Sequence, residues 1–208
     1  MTFGTITTLA EDLVEISVSD AAAAQRVAER LRPHSDIEEV VPALSSVAVM
    51  FAPSAQSPDS IKDIIARLIS TGGEAAPRSV QEITLPVTYG GKAGPDLEAV
   101  AETLGLSTAD VIKTHTDQWL NVDMMGFTPG FAYLSGLPWS VPRLATPRQS
   151  VAAGSVGVAG HRSGIYSLGG PGGWPVIGRT SLALFDASLD PPFLLAPGSR
   201  VRFQAVNP

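Results

Sequence analysis

The chain has 208 residues, of which 20 are acidic, 14 are basic and none is cysteine, and its formal net charge is -6. This length suits one large domain or two small ones, and the lack of cysteine excludes disulfide bonds, a thiolate nucleophile and cysteine-ligated metals. The acidic charge argues against a nucleic acid partner, and without a signal peptide or an apolar run of about 20 residues we expect a cytoplasmic protein with no membrane segment.

Charge is distributed unevenly along the sequence. Residues 1–120 contain 17 of the 20 acids and eight of the 14 bases, for a net charge of -9, whereas residues 121–208 contain three acids and six arginines, for a net charge of +3. A glycine-rich β region has fewer exposed helices to carry charges, which would explain the difference. The alternative is that the arginines bind an anionic ligand, because guanidinium pairs with carboxylate or phosphate through two parallel hydrogen bonds.

Residues 1–84 show the pattern of a small α+β domain. Alternating apolar residues indicate four strands, Asp20 is a helix-capping residue, and Ser57-Pro58-Asp59 starts a second helix with an apolar stripe. The resulting order, β-α-β-β-α-β, predicts a ferredoxin-like domain. The expected strands are residues 14–18, 37–41, 47–51 and 83–87.

Residues 85–208 are predicted to form a second domain that opens with a pair of helices at about residues 95–116. His115 lies near the end of the second helix, where we expect a partner of the helix dipole or a surface residue. From Trp119 onward, short apolar runs are broken by glycine and proline, a pattern typical of a closed or nearly closed β-barrel. The expected strands are residues 121–125, 131–134, 155–159, 164–167, 174–177, 181–185 and 200–204.

Familiar catalytic and nucleotide-binding motifs are missing from the sequence. Gly90-Gly91-Lys92 lacks the other residues of a P-loop, the glycines at 154, 157 and 160 do not form the dinucleotide-binding pattern GxGxxG, and no GxSxG occurs. The three histidines lack metal-ligand spacing, and the three lysines lie outside the glycine-rich region, which argues against a serine–lysine centre. We therefore expect neither a self-contained hydrolytic site nor a metal site.

Three glycine-rich loops are the remaining candidates for a binding site. They are residues 126–133, residues 153–160, which lead into His161-Arg162, and residues 171–174, which precede Arg179. Glycine lets such loops form tight barrel turns, but it also allows backbone N–H groups to point outward and hold an anion or a carbonyl oxygen. Both interpretations stay open at this point.

Six motifs, in this order and spacing, resemble one family closely. They are GFTPGFAYL, Thr146-Pro147-Arg148, AGSVGVAG, Gly164-Ile165-Tyr166, PGGW and IGRT. The family is that of the 5-oxoprolinase B subunit, also called allophanate hydrolase subunit 1, whose members include carboxyltransferase-domain subunits and a sporulation regulator that inhibits a kinase. The resemblance implies a small α+β domain followed by a mainly-β, cyclophilin-like barrel. This chain has His161-Arg162-Ser163 where the family usually has a Gly-Gln-Thr-like step, a difference that bears on substrate preference.

The resemblance also implies a protein that is inactive alone and works as one part of an ATP-dependent hydrolase. That enzyme opens 5-oxo-L-proline to L-glutamate with ATP and Mg²⁺, and its other parts are the C subunit, also called allophanate hydrolase subunit 2, and the A subunit. Homologous modules in urea carboxylase make a urea-type amide an alternative substrate. A different alternative is a regulatory binding protein that inhibits a sensor histidine kinase, whereas a prolyl isomerase has only fold analogy in its favour.

Under this resemblance, we expect the substrate or its phosphorylated intermediate to bind between residues 126–133 and the His161-Arg162 turn, at the interface with the C subunit. Arg148 and Arg179 would neutralise its carboxylate or phosphate, although Arg179 has the alternative role of tying barrel strands together through backbone carbonyl groups. The residues expected to bind substrate are Gly126, Phe127, Thr128, Gly130, Tyr133, Arg148 and Tyr166, and the catalytic candidates are Arg179, His161 and Arg162.

Overall fold

The chain folds into two compact units, Met1–Ser79 and Val80–Pro208. The structure is a computed structural model, and it describes residues 4–71 and 80–207. Each unit has its own cluster of buried apolar side chains, as expected for parts that fold around separate cores. Among the described residues, no helix is long and apolar enough to cross a membrane.

The first unit consists of a four-stranded antiparallel sheet and two helices. Its elements are β1 (Ile6–Ala10), β2 (Leu13–Ser17), α1 (Ala21–Leu31), β3 (Glu39–Pro42), β4 (Ser46–Met50) and α2 (Pro58–Thr71), with the strands in the order β1-β2-β4-β3. Alternate residues of β2 and β4, such as Val14 and Val49, are buried with the apolar stripe of α2, which includes Ile61 and Ile65. Asp20 caps α1 as predicted, because its carboxylate accepts the Ala23 N–H at 2.7 Å.

The predicted β-α-β-β-α-β order of this unit is wrong, and a ferredoxin-like arrangement is not confirmed. The unit begins with β1, which the sequence analysis did not identify and which pairs with β2. The expected last strand, residues 83–87, belongs to β5 (Glu82–Tyr89) of the second unit, although the predicted boundary of the first domain is at residue 84. Its alternating apolar pattern fits either sheet, so the choice depends on the long-range pairing partner.

A closed barrel of seven strands forms the centre of the second unit, and the predicted barrel is confirmed. Its strands are β5, β6 (Leu120–Met125), β7 (Ala132–Ser135), β9 (Ser155–Ala159), β10 (Arg162–Ile165), β12 (Val176–Arg179) and β13 (Arg200–Ala205), paired in the order β10-β7-β6-β13-β5-β12-β9. β9 also pairs with β10, which closes the ring. Inward residues such as Leu85, Leu134 and Phe203 are buried and fill the interior. The cyclophilin-like form of this barrel stays a prediction.

Smaller elements complete the second unit. The helix pair appears as α3 (Leu97–Leu104) and α4 (Thr108–Thr116), and β8 (Arg148–Val151) pairs with β11 (Gly170–Gly172) in a separate small sheet. Ser107 caps α4 by accepting the Asp110 N–H at 3.1 Å. The strand predicted at residues 181–185 is wrong, because this segment is irregular and only Phe185 forms a bridge, with Phe193. Leu184 is nevertheless buried in the barrel core, so its apolar character reflects packing rather than strand pairing.

His115 is fully buried, which corrects the expectation of a surface residue or a dipole partner. Its Nδ1 lies 2.6 Å from the Tyr89 hydroxyl, its Nε2 lies 3.0 Å from the Ser163 hydroxyl, and its ring stacks on Phe203. Ser163 donates in turn to the Gly157 carbonyl oxygen, so we assign the Nε2 proton to the bond with Ser163. Burial lowers the pKa of His115 to about 3, and the neutral ring therefore joins α4 to three barrel strands.

Candidate functional site

The loop between β6 and β7 has an unusual backbone. Phe127 has a φ of 72°, in the left-handed region that residues other than glycine seldom adopt, and Gly130 has a φ of 80°. The Gly126 N–H donates to the Phe131 carbonyl, and the Phe131 N–H donates back to the Thr128 carbonyl. Within the described parts of the chain, the N–H groups of Phe127, Thr128 and Gly130 donate to no acceptor. We call residues 126–130 the donor loop, because it keeps these three backbone donors available.

A cavity of 590 Å³, called the loop cavity below, opens beside the donor loop. Its other wall includes Pro191, Phe193 and Leu195, and none of the described residues that line it is charged. The Thr128 hydroxyl oxygen is buried and has no hydrogen-bond partner among the described residues. Without a cation to compensate a full negative charge, neutral N–H donors beside an apolar cavity favour a neutral or partly charged oxygen, such as that of an amide.

The donor loop is fixed by two residues from later in the chain. A Cβ atom at Gly130 would lie 2.7 Å from the Cβ of Phe185 and 3.1 Å from the Cβ of Ser167. The Ser167 hydroxyl donates to the Pro129 carbonyl oxygen at 2.5 Å. The close approach requires glycine at position 130, and the hydrogen bond holds the loop, so the donors are positioned before a ligand binds.

Beside the donor loop lies a cluster of aromatic rings. Phe131 is at its centre, with ring centroids 4.8 Å from Tyr133, 5.1 Å from Tyr166 and 6.0 Å from Trp174. Phe127 of the donor loop contacts the same ring at 5.6 Å. The structure thus brings the predicted tyrosines together and links them to the donor loop, although Phe131 and Trp174 were not among the expected site residues.

The aromatic cluster covers the outer surface of the barrel. Gly164 pairs with Tyr133 across β10 and β7, and a Cβ at Gly164 would lie only 2.8 Å from the Trp174 ring. Glycine at this strand position therefore makes room for the indole. Burial raises the pKa of both Tyr133 and Tyr166, and the positive charge of Arg143 acts in the opposite direction on each, so both hydroxyls stay protonated at neutral pH.

Arg148 is already paired within the protein. Its Nη1 and Nη2 donate to the two carboxylate oxygens of Asp96 at 2.8 Å and 2.6 Å, and Asp96 also accepts the Val176 N–H at 2.6 Å. The hydrogen bond with Asp96 is the main cause that raises the pKa of Arg148. This bidentate pair neutralises the arginine, so the expected role in binding an anionic ligand has no support in the geometry and stays a prediction.

His161 lies in the turn between β9 and β10, and Arg162 is the first residue of β10. Arg162 Nη2 lies 3.5 Å from Asp123, whose other oxygen accepts the Ser135 hydroxyl at 2.7 Å. The Arg162 Nε is buried and has no acceptor among the described residues. His161 is exposed and follows Gly160, which has a φ of 56°. Their catalytic roles stay predictions, and Asp123 is a partner that the sequence analysis did not identify.

Arg179 has a different environment, a cleft of 640 Å³ that we call the Arg179 cleft. Its Nε donates to the Ala153 carbonyl oxygen at 2.9 Å, which is the kind of backbone contact given as the alternative role in the sequence analysis. No acidic side chain lines this cleft, and Arg179 has no carboxylate partner in the described parts of the chain. The other polar side chains of the cleft are hydroxyls, those of Thr88, Ser167, Thr180 and Ser181.

The hydroxyls of the Arg179 cleft were missed by sequence reasoning. Thr180 and Ser181 directly follow Arg179, so their proximity was available as a signal in the sequence. Thr88 is brought there only by the pairing of β5 with β12, in which it lies opposite Arg179. Ser167 lines the cleft and also binds the donor loop through Pro129, so it is common to the two candidate sites.

Comparisons of sequence place the chain among known proteins. The family model "Carboxyltransferase domain, subdomain C and D" matches residues 2–195. The chain is 43% identical over 183 residues to the 5-oxoprolinase B subunit of Escherichia coli O157:H7, and the match covers 86% of this chain and 82% of that protein. It is 37% identical over 198 residues to the 5-oxoprolinase B subunit of Bacillus subtilis strain 168, with 89% and 82% covered.

Comparisons with solved structures agree with these sequence matches. The crystal structure of TTHA0988 has a TM-score of 0.81 and 33% identity over 94% of this chain, but the chain spans only 40% of that protein. The urea amidolyase of K. lactis has a TM-score of 0.80 over 98% of this chain and 15% of its own, and at 18% identity it shows a shared fold. The match of sequence over most of the length is decisive: the chain belongs to the family of 5-oxoprolinase B subunits, with the carboxyltransferase domain, subdomain C and D.

Proposed function

We propose that this chain is the B subunit of a 5-oxoprolinase, a complex that hydrolyses 5-oxo-L-proline to L-glutamate together with the hydrolysis of ATP. Curated relatives of that name, 37% to 43% identical to this chain, support the proposal. The observation that carries it is the donor loop. Among the described residues, three of its backbone N–H groups have no acceptor and the adjoining cavity has no charged side chain, which suits the carbonyl oxygen of a cyclic amide.

Hydrogen bonds to the amide oxygen serve both binding and reaction. In the bound substrate the N–H donors orient the ring, and when water adds to the carbonyl carbon they stabilise the negative charge that develops on the oxygen. Donors that are held in place need little reorganisation during this step, and the Gly130 contact and the Ser167 hydrogen bond hold the donor loop. In a second possible route, ATP phosphorylates the amide oxygen before water adds to the carbonyl carbon. The donor loop is then proposed to bind the phosphorylated intermediate.

The aromatic cluster forms the neighbouring part of the proposed site. Phe131 and Trp174 offer an apolar wall, and the protonated hydroxyls of Tyr133 and Tyr166 are proposed to orient the substrate. On β10, Arg162 lies opposite Ser135, two positions along β7 from Tyr133. We propose that the His161-Arg162 turn extends the site toward the partner protein of the complex.

Partner proteins are needed for the complete reaction. We propose that they are the C subunit, also called allophanate hydrolase subunit 2, and the A subunit, because the relatives are named as subunits and the region similar to this chain is only part of TTHA0988. ATP and Mg²⁺ are assigned to the assembled complex. The donor loop and the Arg179 cleft offer N–H and hydroxyl donors rather than carboxylates, so this donor set does not fit Mg²⁺, and no step is assigned to the metal on this chain.

Reconstitution tests the proposal. The chain is combined with the C and A subunits, and glutamate and ADP are measured with and without 5-oxo-L-proline. We expect glutamate only from the complete complex and only with 5-oxo-L-proline. A stable complete complex that forms no glutamate, or that acts only on urea-type amides, would overturn the assignment. Binding to a sensor histidine kinase without association with the C subunit would favour the regulatory alternative.

The role of the donor loop is tested separately with a matched pair of glycine substitutions. Gly130→Ala places a Cβ against Phe185 and strains a left-handed backbone, so we expect kcat/KM of the complex to fall by about tenfold or more. Gly170→Ala is the control, because a Cβ there meets no atom within 4 Å, and it is expected to keep wild-type turnover. Equal activity of the two folded variants would contradict a role of the donor loop.

A further inference from the structure

We infer that the Arg179 cleft is a binding site for a singly charged carboxylate group of a small ligand. The identity of the ligand rests on the proposed function, under which the group is the carboxylate of 5-oxo-L-proline. The preference for a carboxylate is argued from the geometry of the cleft alone. Three observations support this inference. No described acidic residue compensates the charge of Arg179, its Nη1 and Nη2 groups have no acceptor among the described residues, and the other donors of the cleft are neutral.

Arg179 has no carboxylate partner among the described residues, a property that it shares with Arg143 and Arg202. Arg148, Arg162 and Arg200 are each paired with a carboxylate. The cavity that Arg202 lines also contains Asp117. In the Arg179 cleft, by contrast, none of the described lining residues is acidic, so the guanidinium charge is available for a ligand.

The orientation of Arg179 leaves one edge of its guanidinium open. Its Nε is bound to the Ala153 carbonyl at 2.9 Å, which fixes the plane of the group. Nη1 and Nη2 donate to no acceptor among the described residues. The two N–H groups on this edge have the spacing of the two oxygens of a carboxylate, so a ligand can bind through two parallel hydrogen bonds without reorienting the arginine.

Further donors in the cleft are neutral. The backbone N–H groups of Ser181 and Ala183 donate to no acceptor within the described residues, and both residues line the cleft. The Thr180 hydroxyl oxygen accepts the Leu182 N–H at 3.3 Å, which leaves its own proton free to donate. One positive charge with neutral donors balances a charge of about -1, whereas phosphate, at nearly -2, is commonly met by more than one cation. We therefore assign a carboxylate rather than a phosphate.

Ser167 joins this site to the donor loop. It lines the Arg179 cleft, and its hydroxyl holds the Pro129 carbonyl of the donor loop. A molecule with a carboxylate and a cyclic amide has two different groups to be recognised, and the two sites meeting at Ser167 offer one charged and one neutral set of donors. In this arrangement Arg179 would bind the carboxylate and the donor loop would bind the amide oxygen.

Titration of the full-length chain, followed by the arginine Nε–H resonances in ¹H–¹⁵N spectra, tests the inference. The probes are acetate, 5-oxo-L-proline, 2-pyrrolidinone, which lacks the carboxylate, and inorganic phosphate. We expect acetate and 5-oxo-L-proline to shift the Arg179 resonance saturably, and 2-pyrrolidinone and phosphate to bind at least tenfold more weakly than 5-oxo-L-proline.

Two matched variants complete the test. Binding to the variants is followed through the backbone amide resonances of Ser181 and Ala183, which line the same cleft. Arg179→Gln should weaken carboxylate binding at least tenfold, whereas Arg202→Gln, which removes another exposed arginine with an Nε bond to a backbone carbonyl, should leave it unchanged. Equal binding by the two variants, or a preference for phosphate, would overturn the inference. Acetate binding that depends on Arg179, in a chain whose complete complex forms no glutamate, would support the site while refuting the proposed function.

Discussion

Arg148, beside the aromatic cluster, and Arg179, in its cleft, show two uses of the same residue type. Arg148 is bound to both oxygens of Asp96, whose side chain is only 13% exposed, so the Asp96 carboxylate neutralises the charge of Arg148. Arg179 is bound to a backbone carbonyl, which fixes its position without reducing its charge. A positive residue in a glycine-rich barrel therefore marks a ligand site only when its own neighbours leave the charge uncompensated.

The largest expected loss of stability comes from substituting a glycine beside Arg179, and a glycine near Arg148 serves for comparison. Gly154 lines the Arg179 cleft with a φ of 80°, and a Cβ there would lie 2.1 Å from the Thr180 carbonyl oxygen. Gly154→Ala should therefore cost about 4 kcal/mol or more, or prevent folding. Gly173→Ala, near Pro147 on the Arg148 side, places a Cβ in ordinary contact at 3.6 Å and should cost less than about 1 kcal/mol. Urea denaturation measures both, and similar losses would contradict this account of the cleft.

His115 is buried with neutral partners, in contrast to the ionic pair at Arg148. Its contribution to stability is therefore expected to depend on pH. Its pKa is about 3 in the folded protein and about 6.5 in the unfolded chain. The unfolded state therefore gains a proton first as pH falls, so the free energy of unfolding is unaffected above pH 6.5 and decreases by about 1.4 kcal/mol per unit below it. Between pH 6.5 and pH 5, wild type should lose about 2 kcal/mol more than His115→Gln. Parallel pH profiles for the two proteins would refute this.

The pair of Asp96 and Arg148 is expected to have an effect on stability of similar size to that of His115. Asp96→Asn weakens the bond with Arg148 and the bond with the Val176 N–H, and should reduce the free energy of unfolding by about 2 to 3 kcal/mol. A double-mutant cycle with Arg148→Gln should show a coupling of about 1 kcal/mol or more. Turnover measured per folded complex is the second readout: a large loss in Arg148→Gln at full folding would restore the substrate-binding role predicted from the sequence.

The smallest effect on stability is expected at Arg179. Arg179→Gln removes an exposed side chain with one backbone contact, so the free energy of unfolding should change by less than about 0.5 kcal/mol. Turnover of the reconstituted complex should nevertheless fall about tenfold, equivalent to about 1.4 kcal/mol of transition-state stabilisation. Arg202→Gln should change neither quantity. Near-normal turnover in Arg179→Gln would place Arg179 with Arg148 as a structural residue.

Local signals made much of the fold predictable. Capping by Asp20 and Ser107 and the apolar stripe of α2 are properties of neighbouring residues, and they predicted helices where helices occur. The frequent short apolar runs after Trp119 predicted the barrel. β1 was missed because four of its five residues are exposed and give little alternation, and β5 was placed in the wrong unit because its pattern fits either sheet.

The sequence by itself determined the family and predicted the barrel, because their signals lie in consecutive residues, and it named residues 126–133 as one of three candidate loops. Only the tertiary structure decided which arginines are paired with carboxylates. Arg148 meets Asp96 from 52 positions away and Arg162 meets Asp123 from 39, whereas Arg179 meets a carbonyl group. The charge available to a ligand depends on what lies within a few ångströms in space, and spacing along the chain does not encode these distances.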